Sequence, residues 1–244
     1  MYRSYNLIMA KINTENLLCT LCMRTGSKGL KNKNFLKLLG KPLYQHTLDQ
    51  VNILKNKISK VIISTDSVNL FKKQDELGVD MVLHRDPGLA SDHAGKIDVI
   101  RDALIKAEEY FDTEFELIMD LDVTSPLRRQ ASILKAIEIM QEGSYSNLIS
   151  GAESRKNPYF NMIELKENIP KLAIQGNFVR RQDAPEIFDM NASIYLWKRD
   201  TLLKESTLFL DKTFFLKMPQ DESIDIDSQF DFTLVEAIML NRND

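Results

Sequence analysis

Two carboxylates one residue apart, Asp225 and Asp227, stand in the run DESIDIDS at 221–228. If that run is extended, the two carboxylates share one face and Ile224 and Ile226 share the other. The isoleucines can then pack inward while two negative charges converge on one point. Such carboxylates repel each other unless a cation lies between them, and hard oxygen ligands of this kind suit Mg²⁺ shared with substrate phosphates. The same residues also fit a surface turn in which Asp227 or Ser228 caps a last helix. A second charged group lies in LLCTLCMRTGSKGLKNKN at 17–34, where Arg24, Lys28, Lys31 and Lys33 bring four positive charges. Seven mostly apolar residues there have the length of a buried strand in a parallel sheet. Gly26 and Gly29 then let the backbone turn and present its N–H groups. A strand that ends in such a loop is a place to hold phosphates. The Gly-x-x-Gly spacing with Ser27-Lys28 inside it is neither the Gly-x4-Gly-Lys-Ser/Thr nor the Gly-x-Gly-x-x-Gly phosphate loop.

These residues need a scaffold, and the chain alternates strand and helix to supply one. After the basic loop, Pro42 starts a helix to about 56. Strands are expected at 60–65, 81–85, 116–122 and 147–152. Between them lie a short helix at 68–77 stopped by Gly78, an amphipathic helix ending near 111, and a helix opened by Ser125-Pro126 and running to 142. Repeated βα units predict an α/β fold with a doubly wound, mostly parallel sheet. From 153 to 190 the rhythm breaks, with Pro158, Pro170 and Pro185 and no clear helix. A strand at 192–198 restores it, and a last helix covers about 228–240. The division is a leader at 1–16, a nucleotide-binding core at 17–152, an irregular α+β insertion at 153–190, and a return to the core at 191–244.

At 244 residues the chain can bury a full core. A net charge of −3 and a pI near 5.7 argue against a general nucleic-acid binder. No apolar run approaches the ~20 residues of a membrane span, and the first sixteen residues lack a signal-peptide core. Cys19 and Cys22 have redox or metal spacing, but residues three apart on a strand face opposite ways, so two free thiols in a reducing cytoplasm are expected.

The spelling Arg-x-Gly-Ser-Lys-Gly-Leu-x-x-Lys-Asn at 24–34, directly after a first strand, resembles the cytidylyltransferases that activate sialic acids and related nine-carbon sugar acids. Further stretches match in the family's order over about 17–240. Ile-Asp-Ile-Asp matches the motif whose two aspartates bind the catalytic metal. Thr124-Ser125-Pro126-Leu127-Arg128 match the Leu-Gln-Pro-Thr-Ser-Pro-Leu-Arg stretch, with Asp122 in the Gln position, either as a third metal ligand or as a changed contact to the sugar. LHRDPGLASDHAGK at 83–96 resembles the loop that reads cytosine. RRQDAPEIFDMNASIYLWK at 180–198 resembles the stretch that binds the sugar acid, with Ala192 in place of the usual Gly and Ser193 in place of the usual Ala. Phe160 stands where sialic-acid enzymes commonly carry Lys.

The resemblance implies a Rossmann-like nucleotidyltransferase, a homodimer through 153–190, that makes a CMP-sugar and pyrophosphate from CTP and a nonulosonic acid. CTP would be held by Arg24, Gly26, Ser27, Lys28, Lys33 and Asn34, with Arg85 and the backbone near Ala94 and Lys96 on the base. Lys33, Arg24, Lys28 and Asp227 would act in catalysis, with Mg²⁺ on Asp225 and Asp227. The sugar acid would meet Asp122, Thr124, Ser125, Phe160, Arg181, Gln182, Asn191 and Tyr195, with Arg181 on its carboxylate. An aromatic Phe160 gains by covering a methyl group and loses by burying a hydroxyl, which favours a legionaminate-type acid over N-acetylneuraminate. The alternatives are a related enzyme for Kdo or pseudaminic acid and a non-catalytic nucleotide-sugar binder.

Overall fold

The structure is a computed structural model that describes residues 16–26, 29–91 and 94–242. In chain order its elements are β1 (Leu17–Cys22), β2 (Lys37–Leu38), β3 (Lys41–Pro42), α1 (Leu43–Ile53), β4 (Lys60–Thr65), α2 (Val68–Phe71), α3 (Gln74–Leu77) and β5 (Met81–His84). Then come α4 (Lys96–Phe111), β6 (Leu117–Leu121), α5 (Gln130–Glu142), β7 (Asn147–Glu153), β8 (Ile163–Lys166) and β9 (Ile169–Leu172). The last are β10 (Phe188–Lys198), α6 (Arg199–Lys204), β11 (Thr213–Lys217) and α7 (Gln229–Asn241).

Among the described residues, seven strands form one sheet in the order β11-β7-β10-β6-β1-β4-β5. All neighbours pair in parallel except β10, which runs antiparallel between β6 and β7. The doubly wound α/β reading is what the sheet shows. Alternate residues of β1 feed two cores, as the strand period requires. Leu17, Cys19 and Leu21 pack with α1 and α5, while Leu18 packs with α4 and α6. The two thiols diverge accordingly: Cys19 lies in the first core, and Cys22 packs against the second. Burial pushes both thiols up.

The chain leaves β1 toward β4 and β5, then crosses back to β6 on the other side of β1. That reversal opens a crevice at the carboxyl ends of β1 and β6, where open α/β sheets bind ligands. Two local expectations are corrected. The helix at 68–77 is two single turns, α2 and α3, separated at Lys72-Lys73; it does end at Gly78, whose φ of 67° suits glycine. Ser125-Pro126 does not open a helix. α5 begins only at Gln130, and its first turn is capped from a distance by Glu222, whose Oε2 accepts from the Arg129 N–H at 3.2 Å and from the Ser132 hydroxyl at 2.6 Å. Between β7 and β10 lie the β8–β9 hairpin and turns, with Met162, Ile163, Leu165, Ile169 and Val179 exposed.

Candidate active site

A cavity of about 420 Å³ lies at the crevice, within the size range of small-ligand sites. Arg24, Lys33 and Asn34 enter it from the loop after β1, Arg85 from the end of β5, Lys96 from the start of α4, and Asp122 and Thr124 from the end of β6. Asp225 and Asp227 close it from the stretch before α7. Ser27, Lys28 and His93 lie outside the described residues, as does the leader up to residue 15.

The basic loop is pinned at both ends. The Thr25 N–H and hydroxyl both donate to the Asp66 carboxylate at 2.8 Å. The buried Asn34 amide donates to the Arg24 carbonyl at 3.0 Å. Gly29 is required for close approach: a Cβ there would overlap the carbonyl oxygen of Asp227. The loop thus lies directly on the Asp225/Asp227 motif. Lys33 Nζ reinforces this, donating to Asp227 Oδ1 at 2.6 Å and to the Ile226 carbonyl at 2.9 Å.

The acidic motif has its two isoleucines inward. Ile226 is fully buried with Val235, Leu127 and Leu43, Ile224 packs against the same cluster, and the Ile226 N–H donates to the Thr124 carbonyl at 3.0 Å. The two aspartates are left facing the cavity, but not equivalently. Asp227 is exposed and paired with Lys33. Asp225 is largely enclosed, and its Oδ1 has no hydrogen-bond partner among the described residues. Burial, then repulsion by Asp122, pushes Asp225 up to about 6 against the pull of Thr124 and Lys33. An enclosed carboxylate oxygen without a donor beside a second carboxylate fits a hard cation. Among the described residues no group of three or more His, Cys, Asp or Glu side chains could hold a metal ion, so a cation here would draw its other ligands from substrate or water. Helix capping falls to Ser228 and Asp231, which form a reciprocal capping box at α7.

Arg85 is buried and donates to Ser64, by Nε to Oγ at 3.3 Å and by Nη2 to the carbonyl at 2.8 Å. Ala94 lines the cavity nearby. Asp122 is already committed: its Oδ1 accepts from the Thr124 N–H and hydroxyl, and its Oδ2 pairs with Lys96 at 2.8 Å. Burial would raise its pKa, but Lys96 and the Thr124 hydrogen bonds hold it below the usual carboxylate range.

Of the sugar-side residues, Asp122 and Thr124 line this cavity and the other six do not. Arg181 and Gln182 line a separate one of about 420 Å³, with Glu153 and Asn157, and Arg181 donates to the Ser154 carbonyl at 2.6 Å. Phe160 lines neither, standing 37% exposed on a turn. Asn191 is turned into the interior, accepting from Ser150 and donating to Ser223 and to the Met218 sulfur. Ser125 is fully buried. Tyr195 is buried against Trp197, beneath the Lys96 ammonium.

Sequence reasoning missed Arg128 as a structural tie. It is 2% exposed, and Nη1 reaches the Ser193 carbonyl and hydroxyl and the Asp122 carbonyl while Nη2 reaches Thr47 and Gln50. One guanidinium thereby fastens the end of β6 to β10 and α1, and it makes use of the serine at 193. Burial pulls its pKa down to about 10. Its place in the Thr-Ser-Pro-Leu-Arg stretch was the available signal.

Ala192 carries a backbone reason for the glycine usual at its position. Its φ is 50°, in the left-handed region, where β10 shifts register against β7. Strain there costs an alanine about 1–2 kcal/mol, against the ~0.5–1 kcal/mol that glycine loses in chain entropy. Ala192→Gly should therefore melt at or above the parent temperature. The control Ala152→Gly, in the regular buried part of β7, should lose about 1–2 kcal/mol. Equal losses by thermal denaturation would contradict the strain.

Comparison with known proteins shows the family and the fold. The chain matches the family described as cytidylyltransferase over residues 18–241. It is 41% identical over 230 residues to the post-translational flagellin modification protein B of Campylobacter coli, covering 94% of this chain and 97% of that one. It is also 41% identical over 228 residues to the CMP-N,N'-diacetyllegionaminic acid synthase of Campylobacter jejuni, covering 93% and 96%. A solved CMP:2-keto-3-deoxy-manno-octonic acid synthetase complexed with CTP superposes with a TM-score of 0.65 at 17% identity, over 92% of this chain and 98% of that one, and so shares the fold. A phosphate-type basic loop lying on an acidic motif at the sheet's switch point, together with a family match that runs nearly from end to end, places this chain in the cytidylyltransferase family of nucleotidyltransferase enzymes.

Proposed function

We propose that the enzyme transfers CMP from CTP to the anomeric hydroxyl of a nonulosonic acid of the legionaminate type, releasing pyrophosphate. The observation that carries this is the meeting of Arg24, Lys33, Asp225 and Asp227 in one cavity. The name of the Campylobacter jejuni relative supports the choice of acid. Lys33 and Arg24, with Lys28, hold the triphosphate and offset the charge that develops on the leaving pyrophosphate. Arg85 and the backbone near Ala94 hold the base. Asp225 and Asp227 hold a divalent cation, Mg²⁺, which when bound would lower the pKa of the attacking hydroxyl and neutralise the α-phosphate. Gly29 and Lys33 keep the phosphate loop and the acidic motif in contact, and Asn34 pins that loop to the Arg24 carbonyl, so that the reactants are positioned together.

The apolar side chains exposed at 153–190 support a homodimer formed through that segment. Among the described residues no helix is long and apolar enough to cross a membrane, and the two free thiols support a site of action in the cytoplasm.

The test is pyrophosphate release with each NTP, with and without Mg²⁺, over a panel of sugar acids. Release is expected with CTP, Mg²⁺ and a nonulosonic acid together. No NTP-dependent release with any acid would remove the enzymatic reading. Within the panel, kcat/KM for a legionaminate-type acid should exceed that for N-acetylneuraminate by at least ~10-fold, the size expected from one or two altered contacts. Phe160 lines neither cavity, so this preference rests on the name of the Campylobacter jejuni relative rather than on the Phe160 ring. Equal use of the two acids in direct competition would refute the preference and leave the cytidylyltransferase assignment intact.

A further inference from the structure

A further cavity, of about 530 Å³, lies between α1, the start of α5 and the end of α7, and shares no lining residue with the crevice. Three arginines line it, Arg128, Arg129 and Arg242. Two carboxylates oppose them. Asp221 Oδ2 lies 3.1 Å from both Arg129 Nη2 and Arg242 Nη2, so one oxygen serves two guanidiniums. Glu222 Oε2 is spent on the Arg129 N–H and the Ser132 hydroxyl, and its Oε1 lies 3.8 Å from Arg129 Nη1. Three positive charges thus meet two negative ones. The start of α5 adds to the excess. Its first turn carries no acidic side chain. Gln130 and Ala131 line the cavity, and their N–H groups have no acceptor among the described residues, at the positive end of the helix dipole. Arg128 gives an independent sign. It is buried, its Nη1 is held by Ser193 and Asp122, and its Nη2 by Thr47 and Gln50. Its Nε is enclosed with no partner among the described residues. Leaving a buried donor of a charged group unpaired is costly, so such a donor in the wall of a cavity calls for an acceptor.

We propose that this cavity is a second anion site, separate from the crevice, that takes a small oxyanion of the phosphate class. A phosphoryl group presents several acceptor oxygens at once, which guanidinium forks and the N–H groups at a helix start can share. A carboxylate has only two oxygens and one charge, fewer than three arginines and two N–H groups can serve. Orthophosphate and the end of a pyrophosphate offer the same chemistry. Arg128 also fastens β6 to β10 and α1, so the site is best probed through Arg129, Arg242 and Asp221, none of which lines the crevice.

The test is isothermal titration of the full-length protein with inorganic phosphate, without nucleotide or metal. The crevice holds cations of its own, so the titrations are made in an Arg24→Ala, Lys33→Ala background that strips two of them from it. Phosphate binding should persist there. Arg129→Gln and Arg242→Gln should each weaken it by at least about 10-fold, the size of one lost charge-assisted hydrogen bond. Asp221→Asn should tighten it, because the carboxylate that the two guanidiniums share is gone, whereas a merely loosened fold would bind more weakly. Pyrophosphate titrated in the same background identifies the carrier: tighter binding than phosphate assigns the site to a diphosphate, weaker binding to orthophosphate, and each supports the site. Arg242 also holds the Leu127 carbonyl; if Arg242→Gln does not fold, Arg129→Gln, at an exposed side chain, decides alone. No phosphate binding in the background, binding that folded variants at 129 and 242 leave unchanged, or binding that Asp221→Asn fails to tighten would overturn the proposal.

Discussion

Asp225→Asn should lower turnover at saturating CTP by at least about 10²-fold while leaving the metal-free protein at least as heat-stable as the parent. The two halves come from one feature. Asp225 is enclosed, its Oδ1 lacks a partner among the described residues, and burial and the Asp122 charge push it up to about 6. Ionisation there opposes folding. With a folded-state pKa above the ordinary carboxylate value of 3.8, the opposition begins as pH rises past 3.8 and is complete above the folded value. Asparagine has nearly the same shape and carries no charge, so it removes that penalty. A structural carboxylate would behave the other way, since its loss would weaken the fold. Asp227→Ala should also lose about 10² or more in turnover, with little change in melting, because Asp227 is exposed. Steady-state kinetics and thermal denaturation in a chelator measure both. Near-normal turnover in both variants would reduce the motif to a lead-in for α7.

The fold was legible because its signals are local. β1 reads as a buried strand because both of its faces are covered, one core taking Leu17, Cys19 and Leu21 and the other Leu18. The Asp225/Asp227 placement was legible for the same reason, since alternation along a short extended run is a two-residue rule, and Ile226 is indeed the buried member. What could not be read are choices made by distant partners. Ser125-Pro126 has the chemistry of a helix start, yet α5 waits until Gln130 because Glu222, some ninety residues on, supplies the cap. The commitment of Asp122 to Lys96, 26 residues upstream, was equally hidden. Neither residue is unusual alone, and only the placement of the first residue of α4 beside the end of β6 brings them together. Ala192 shows a third kind of gap. The substitution was visible in the spelling, but the φ of 50° that explains it belongs to a register shift no sequence pattern marks. On the sugar side, residues that the resemblance groups into one site go to different places. Asn191 turns inward to Ser150, Arg181 lies in another cavity, and Phe160 faces solvent.

Lys33→Ala should lower kcat/KM for CTP by roughly 10²–10³-fold, the loss typical of removing one donor from a developing negative charge. The structure adds a consequence that phosphate binding alone would not give. Lys33 Nζ donates to Asp227 Oδ1 and to the Ile226 carbonyl. In the substrate-free protein it is therefore the cation paired with Asp227. On the proposed reading, an entering triphosphate would present the same ammonium with a phosphate of higher charge, and Asp227 would be released to other ligands. A lysine suits this exchange, because it is a single flexible point charge rather than a planar fork. Removing it should have opposite effects on the two ligands: CTP is used less well, while Mn²⁺ alone binds the substrate-free protein more tightly, since Asp227 no longer has an internal partner. Lys33→Arg keeps the charge but not the geometry, so it should recover only part of the CTP use and leave Mn²⁺ affinity near that of the parent. A purely structural lysine would weaken both ligands together as the motif loosened. A parallel fall in CTP use and Mn²⁺ affinity would therefore reject the exchange, and unchanged kinetics in Lys33→Ala would place the basic loop outside the site.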